Sequence, residues 1–168
     1  TLCYMGIPMG LQYSVTAIGT LVIQAAVNGF GSLTVAGVTA AQRINSFISC
    51  PVESIGATMA PYSGQNMGAG KLDRVGKGLR DASILGFVVS AVLFVIVLLT
   101  GKQLSLIFLD TADDRVIAYS YQFLVTTAAG YFLLTLVNAV RFTIQGMGFS
   151  VFAITSGVLE MIARTLAG

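Results

Sequence analysis

Few charged residues in this chain lie within apolar runs, and those few are where chemistry is possible. Glu53 stands two positions after Pro51 in the stretch Cys50-Pro51-Val52-Glu53-Ser54-Ile55-Gly56. A carboxylate removed from water is unfavourable as a bare anion, which suits it to take up and release a proton or Na⁺. The same carboxylate could instead be a packing device, hydrogen-bonded to a neighbouring helix. Arg43 lies ten positions earlier in the same run. Glu160 and Arg164 stand four apart, which puts them on one face of a helix. An Arg43–Glu160 or Glu160–Arg164 ion pair is expected toward the outer half of the membrane, either as a fixed brace or as a gate that breaks and re-forms. Gln12, Gln24, Asn28, Asn45, Asn138 and Gln145 are uncharged, and each could line a cavity or join helices by hydrogen bonds. Tyr13 shares a helix face with Met9 and offers an aromatic surface to an organic cation. From this inventory Glu53, Gln12, Tyr13 and Asn138 are the candidate coupling or substrate residues.

The composition says what must position them. Of 168 residues, 55% are hydrophobic and 10% charged, against roughly 25% charged in an ordinary soluble domain. The mean hydropathy of +0.85 puts the chain in the membrane class. A formal charge of +2 is too small to point to nucleic acid. With no His, the chain itself supplies no His-based metal site, Ser-His triad or His proton switch. Cys3 and Cys50 both fall in apolar runs and read as buried, reduced thiols. The chain begins inside apolar sequence without an initiator Met and reads as a piece of a longer protein.

A hydrocarbon core of about 30 Å calls for roughly 20 apolar helical residues. Five segments qualify, at residues 2–27, 33–64, 73–109, 116–142 and 149–168, and they predict an all-α, polytopic transmembrane bundle. The second is too long for one straight crossing, since its rise of about 1.5 Å per residue takes it to nearly 50 Å. It also contains Pro51 and Pro61, each expected to bend it. Asn28-Gly29-Phe30-Gly31-Ser32 and Gln145-Gly146-Met147-Gly148 read as turns. Thr111-Ala112-Asp113-Asp114 reads as the cap of the fourth helix.

Between the second and third segments lies Tyr62-Ser63-Gly64-Gln65-Asn66-Met67-Gly68-Ala69-Gly70-Lys71-Leu72-Asp73-Arg74. Gly64, Gly68 and Gly70 suit a tight elbow, and Gln65 and Asn66 can satisfy backbone groups there. Lys71, Arg74, Lys77 and Arg80 follow at once, so the positive-inside rule places the elbow, Gln65 to Arg80, in the cytoplasm. The run from Leu72 to Arg80 is basic and amphipathic and is expected near the headgroups. Walker spacing is absent, so the elbow is not read as a phosphate-binding loop.

The elbow's Gly64 to Val75 resembles the corresponding loop of the multidrug and toxic compound extrusion (MATE) transporters. The resemblance extends to Gly6-Ile7-Pro8, to Gln24 through Gly31, to Cys50 through Gly56, to Gln145 through Gly148, and to Gly157-Val158-Leu159-Glu160 with Arg164. It covers essentially the whole chain. It implies about five helices of a six-helix lobe, namely a partial C-terminal lobe spanning residues 1–168, in a multi-pass protein of a bacterial plasma membrane. It further implies a secondary active antiporter that exports organic cations or drugs in exchange for H⁺ or Na⁺. No cofactor beyond that coupling ion is implied. The implied partners are a small-molecule substrate, the bilayer and the missing N-terminal lobe of the same chain. Some members of the family carry an acid in the first helix of this lobe, where the present chain has Gln12 and no acid.

Three other classes fit less well. A flippase for lipid-linked sugars would need a more cationic cavity than Arg43 and Arg164 provide. An intramembrane enzyme would need a motif such as HExxH or an Asp-rich metal site, and neither occurs. A non-transporting membrane scaffold is weakly opposed by the embedded charges.

Overall fold

Long runs of Leu, Val, Ala and Ile with few breakers favour helices, and lipid makes the preference obligatory because every backbone group must be paired internally. The computed structural model describes residues 2–108 and 113–149, together with Thr155 and Ile162. Its helices are α1 (Leu2–Asn28), α2 (Ser32–Gly68), α3 (Leu72–Phe108) and α4 (Asp114–Gly146), with no strand among the described residues. These match the first four expected segments to within a turn. The fifth expected helix, 149–168, lies almost entirely outside the described residues.

The termini have identifiable causes. Asp73 and Asp114 occupy the first turns of α3 and α4, where a carboxylate complements the helix dipole. Asp113 caps α4 as expected: its Oδ1 accepts from Arg115 N at 3.0 Å, and its carbonyl accepts from Val116 N. The ends of α2 and α4 share one solution. Gly70 (φ +69°) and Gly148 (φ +96°) take the left-handed conformation. Lys71 N then reaches back to Asn66 O at 2.8 Å and Gly70 N to Met67 O at 3.0 Å. Phe149 N and Gly148 N repeat that pattern onto Ile144 O and Gln145 O. This is the Schellman closure, which satisfies the orphan carbonyls of a helix end. Gly70→Ala is therefore expected to cost about 1 kcal/mol, because a Cβ disfavours the left-handed region, and Gly70→Asn less. Thermal unfolding of the detergent-solubilised protein measures the difference.

The elbow is shorter than its composition suggests. Gly64, Gln65, Asn66 and Gly68 belong to the last turns of α2, and only Ala69, Gly70 and Lys71 connect it to α3. The Asn66 amide donates to Tyr62 O at 2.8 Å, one turn back along its own helix. Gly64 is small for packing rather than for turning, since Gly146 O lies 3.0 Å from where its Cβ would be. α2 stays helical through Pro51 and Pro61, the two positions expected to bend it.

The chain forms two compact units. One gathers most of α1, the segment Gly56–Ala82 and α4 from Asn138 onward. Here α2 meets α4 along small residues at helical spacing, Gly56, Ala60, Ser63 and Gly64. A Cβ on Gly56 would come within 2.9 Å of Asn138 Cβ. Ser63 Oγ lies 2.6 Å from Met59 O and 3.1 Å from Thr143 O, so its hydroxyl serves both helices. Tyr62 OH donates to Arg74 O at 3.1 Å, and its ring occupies the space beside Gly78, fixing the start of α3 to α2.

The other unit comprises Val27–Ile55 and Ser83–Val137. Its core joins Ala41 and Ile44 of α2, Val97 of α3, and Leu124, Ala128 and Tyr131 of α4. Small residues again set the approach. Gly37 packs on Tyr119 and Ser120, Gly86 on Thr135 and Gly101 on Tyr121. Hydroxyl pairs bridge α3 and α4, with Ser90 Oγ 3.0 Å from Thr135 Oγ1 and Ser105 Oγ 2.9 Å from Ser120 Oγ.

α3 and α4 are long and apolar enough to cross a membrane. Only 17% and 33% of their most apolar stretches are buried, whereas the core helix of a soluble protein would be mostly buried. The outward side of α3 is an aliphatic sheath that includes Leu85, Val88, Val92, Val95 and Leu99. A surface of that kind is a liability in water and suits lipid.

Candidate functional site

Of the four helices, α2 carries the acid singled out from the sequence, Glu53. In the second unit Asn45, Ser49 and Glu53 follow one another at four-residue intervals along a row that turns from the core side of α2, where Ser49 is buried, to its exposed side, where Glu53 lies. Tyr131, at 2% exposure, donates its hydroxyl to Asn45 Oδ1 at 2.6 Å. Ser49 is buried and donates to Glu53 Oε1 at 3.1 Å. Glu53 itself is exposed and not removed from water as its apolar neighbours in sequence suggested, because it lies on the side of α2 away from the core; one buried hydroxyl holds the carboxylate while the rest of it stays accessible. Such a group can exchange an ion with a wet cavity and keep a defined position as it does so.

Sequence reading found Glu53 but not the residue that orients it. Ser49 was invisible as a partner because serine is common in such helices, and the only signal was its i−4 offset from Glu53. Tyr131 lies in the core, where its hydroxyl needs an acceptor and Asn45 supplies it. Tyr131→Phe is expected to cost about 1 kcal/mol by leaving Asn45 without that donor. Thermal unfolding of the detergent-solubilised variant checks this.

The remaining candidates are dispersed. Tyr13 projects from α1 and is 63% exposed, in the first unit. Gln12 also lies on α1, but its side chain is outside the described residues. Asn138, only 4% exposed, accepts from Arg141 Nη2 at 3.0 Å and packs beside Gly56, an arrangement that serves helix joining. Arg43 is exposed on α2. Glu160 and Arg164 lie outside the described residues, and with them both expected ion pairs. Cys50 is a free, exposed thiol, not the buried one expected from its apolar neighbours. It sits on the outer face of α2, opposite the core. No cluster of metal-binding side chains occurs among the described residues.

The chain is 32% identical over 120 residues to the "Probable multidrug resistance protein YpnP" of Bacillus subtilis (strain 168), covering 71% of the chain and 26% of that protein. It is 22% identical over 157 residues to the "Probable multidrug resistance protein YoeA" of the same organism, covering 89% of the chain and 34% of that protein. The chain thus spans about a quarter to a third of the length of these relatives. No solved structure matches it. The MatE family model matches residues 8–165, nearly the whole sequence, and the chain belongs to the MatE family.

Proposed function

We propose that this chain is part of the C-terminal lobe of a secondary active exporter in a bacterial plasma membrane. The exporter binds an organic cation or drug between two lobes and expels it in exchange for H⁺ or Na⁺. The observation that carries this reading is Glu53, an acid exposed on α2 and tethered by buried Ser49. Membership of the MatE family and the names of the two relatives support the export of drugs. The exposed cations Lys71, Arg74, Lys77 and Arg80 support a cytoplasmic placement of the α2–α3 connection.

An ion gradient drives export only if ion and substrate bias the same conformational equilibrium. Glu53 supplies such a bias when it is bare in one state and occupied in the other. The partners in this reading are the bilayer, the other lobe and the transported molecule, with no cofactor beyond the coupling ion. The test is flux of a fluorescent organic cation through the full-length protein in liposomes, with a proton gradient and a Na⁺ gradient imposed separately. One gradient should drive flux. Flux under neither would overturn the exporter reading in favour of a lipid-linked sugar flippase or a scaffold.

A further inference from the structure

Most hydroxyls along α2 follow one habit, and Ser49 departs from it. Ser46, Ser54 and Ser63 each donate to the carbonyl one turn back, to Gln42 O at 3.0 Å, Cys50 O at 2.7 Å and Met59 O at 2.6 Å. A serine in a helix finds that acceptor without leaving its own turn. Ser49 donates forward instead, to Glu53 Oε1 at 3.1 Å. The carboxylate explains the difference, because hydrogen bonds to an ionised acceptor are roughly twice as strong as neutral ones. Within this unit α3 carries no charge between Ser83 and Thr100 and α4 none between Val116 and Val137, where its titratable groups are the phenols Tyr119, Tyr121 and Tyr131. Those stretches bring no rival anion to the hydroxyl, and the other charge of α2 in this unit is a cation, Arg43.

The acceptor that Ser49 forgoes has a consequence of its own. One turn back from Ser49 is the carbonyl of Asn45. Asn45 is also the residue that α4 grips, since buried Tyr131 donates to its Oδ1 at 2.6 Å. Ser49 therefore stands between two acceptors, one on the acid that faces solvent and one in the turn held by α4. That part of α2 is short of a backbone bond, because Pro51 has no N–H to offer Phe47 O. Back-bonding by a serine hydroxyl bends helices, and a turn beside a missing bond resists it least.

We propose that Ser49 is a two-position switch that reports the charge of Glu53 to α4. While Glu53 is a bare carboxylate, Ser49 donates to it. Once H⁺ or Na⁺ neutralises that charge, the acid loses its advantage as an acceptor, and Ser49 turns about its Cα–Cβ bond to donate to Asn45 O. With a proton bound, every hydrogen is accounted for: Glu53 gains the O–H and donates it to Ser49 Oγ, whose own hydrogen goes to Asn45 O. The turn from Asn45 to Ser49 shifts, and the Tyr131–Asn45 bond carries the shift into α4. Asn45 and Tyr131 are positioning residues in this scheme. The inference rests on the exporter reading, in which an ion comes and goes at Glu53, and adds the step from ion occupancy to helix packing.

The test uses the full-length protein and two readouts. In detergent at a single pH, hydrogen–deuterium exchange compares the unmodified chain with Glu53→Gln, whose neutral amide imitates the occupied acid. Exchange in the peptide spanning residues 45–54 should change at least fivefold. The same comparison on a Ser49→Ala background should show no change, because the hydroxyl that switches is gone. In liposomes, Tyr131→Phe should lower the ratio of gradient-driven to passive flux of a fluorescent organic cation about threefold. It should leave that ratio unaltered once Glu53 is replaced by Gln. A tyrosine that only braced the core would scale both fluxes alike. Equal scaling by Tyr131→Phe, no exchange difference between the unmodified chain and Glu53→Gln, or a difference that survives in Ser49→Ala would each overturn the switch and leave the exporter reading in place. Absence of gradient-driven flux in the unmodified protein would overturn both together.

Discussion

Glu53→Gln should reduce gradient-driven export by at least tenfold while leaving the protein folded. Glutamine has the same length and still offers an oxygen to Ser49, which now donates to Glu53 Oε1 at 3.1 Å. The side chain is exposed, so the core does not feel the change. What disappears is the charge. If Glu53 holds the coupling ion, as proposed, the neutral amide neither releases a proton nor holds Na⁺ with comparable strength, the ion then no longer distinguishes two conformations, and a ligand without differential affinity shifts no equilibrium. Downhill movement of substrate need not suffer equally, because it requires the conformational change but not the coupling. Glu53→Gln should therefore lose concentrative uptake into inverted vesicles more completely than passive exchange. Ser49→Ala separates positioning from charge: it frees the carboxylate but keeps it, and a loss of two- to fivefold is expected. If Glu53→Gln transports at the unmodified rate under either gradient, coupling resides elsewhere in the full protein.

The helices were legible because apolar runs of membrane length leave few alternatives, and because Asp113 and Asp114 mark the start of α4. The connection between α2 and α3 was less so. A cluster of glycines reads as a loop, yet a glycine can be small for turning or small for packing, and local sequence does not distinguish the two. Gly70 turns and Gly64 packs, and the difference depends on Gly146 of another helix. The same limit applied to the site. Glu53 could be found from its own chemistry, since a lone acid in an apolar run is conspicuous. Ser49 and the Tyr131–Asn45 bond depend on contacts made only after α2 and α4 have met or coiled, and no single residue announces them. Cys50 was misjudged for a related reason: apolar neighbours in sequence do not say which side of a helix faces the core.

Gly146→Ala should destabilise the protein more than alanine at any other glycine of α2, α3 or α4. An added Cβ would run into Ser63 Oγ and Ala60 O, with Ala60 C at 2.9 Å. Neither obstacle yields easily. Ala60 O is backbone in the middle of α2, and Ser63 Oγ is held by Met59 O at 2.6 Å and lies against Thr143 O. The helices must then part at this point, which gives up dispersion contacts along Gly56, Ala60, Ser63 and Gly64. Overpacking of this kind costs about 1–3 kcal/mol, and loss of the interhelical hydroxyl bond adds about 0.6 kcal/mol. Gly130 on α4 is the internal control, since nothing lies within 4 Å of its Cβ position. Gly130→Ala should be neutral or slightly stabilising, as alanine is the better helix former. Ser63→Ala on the Gly146→Ala background should recover part of the loss, because the hydroxyl obstacle goes while the Ala60 carbonyl stays. A double-mutant cycle on detergent-solubilised protein would report that coupling directly. If Gly146→Ala melts with Gly130→Ala, the close approach of α2 and α4 at their ends is not a determinant of stability.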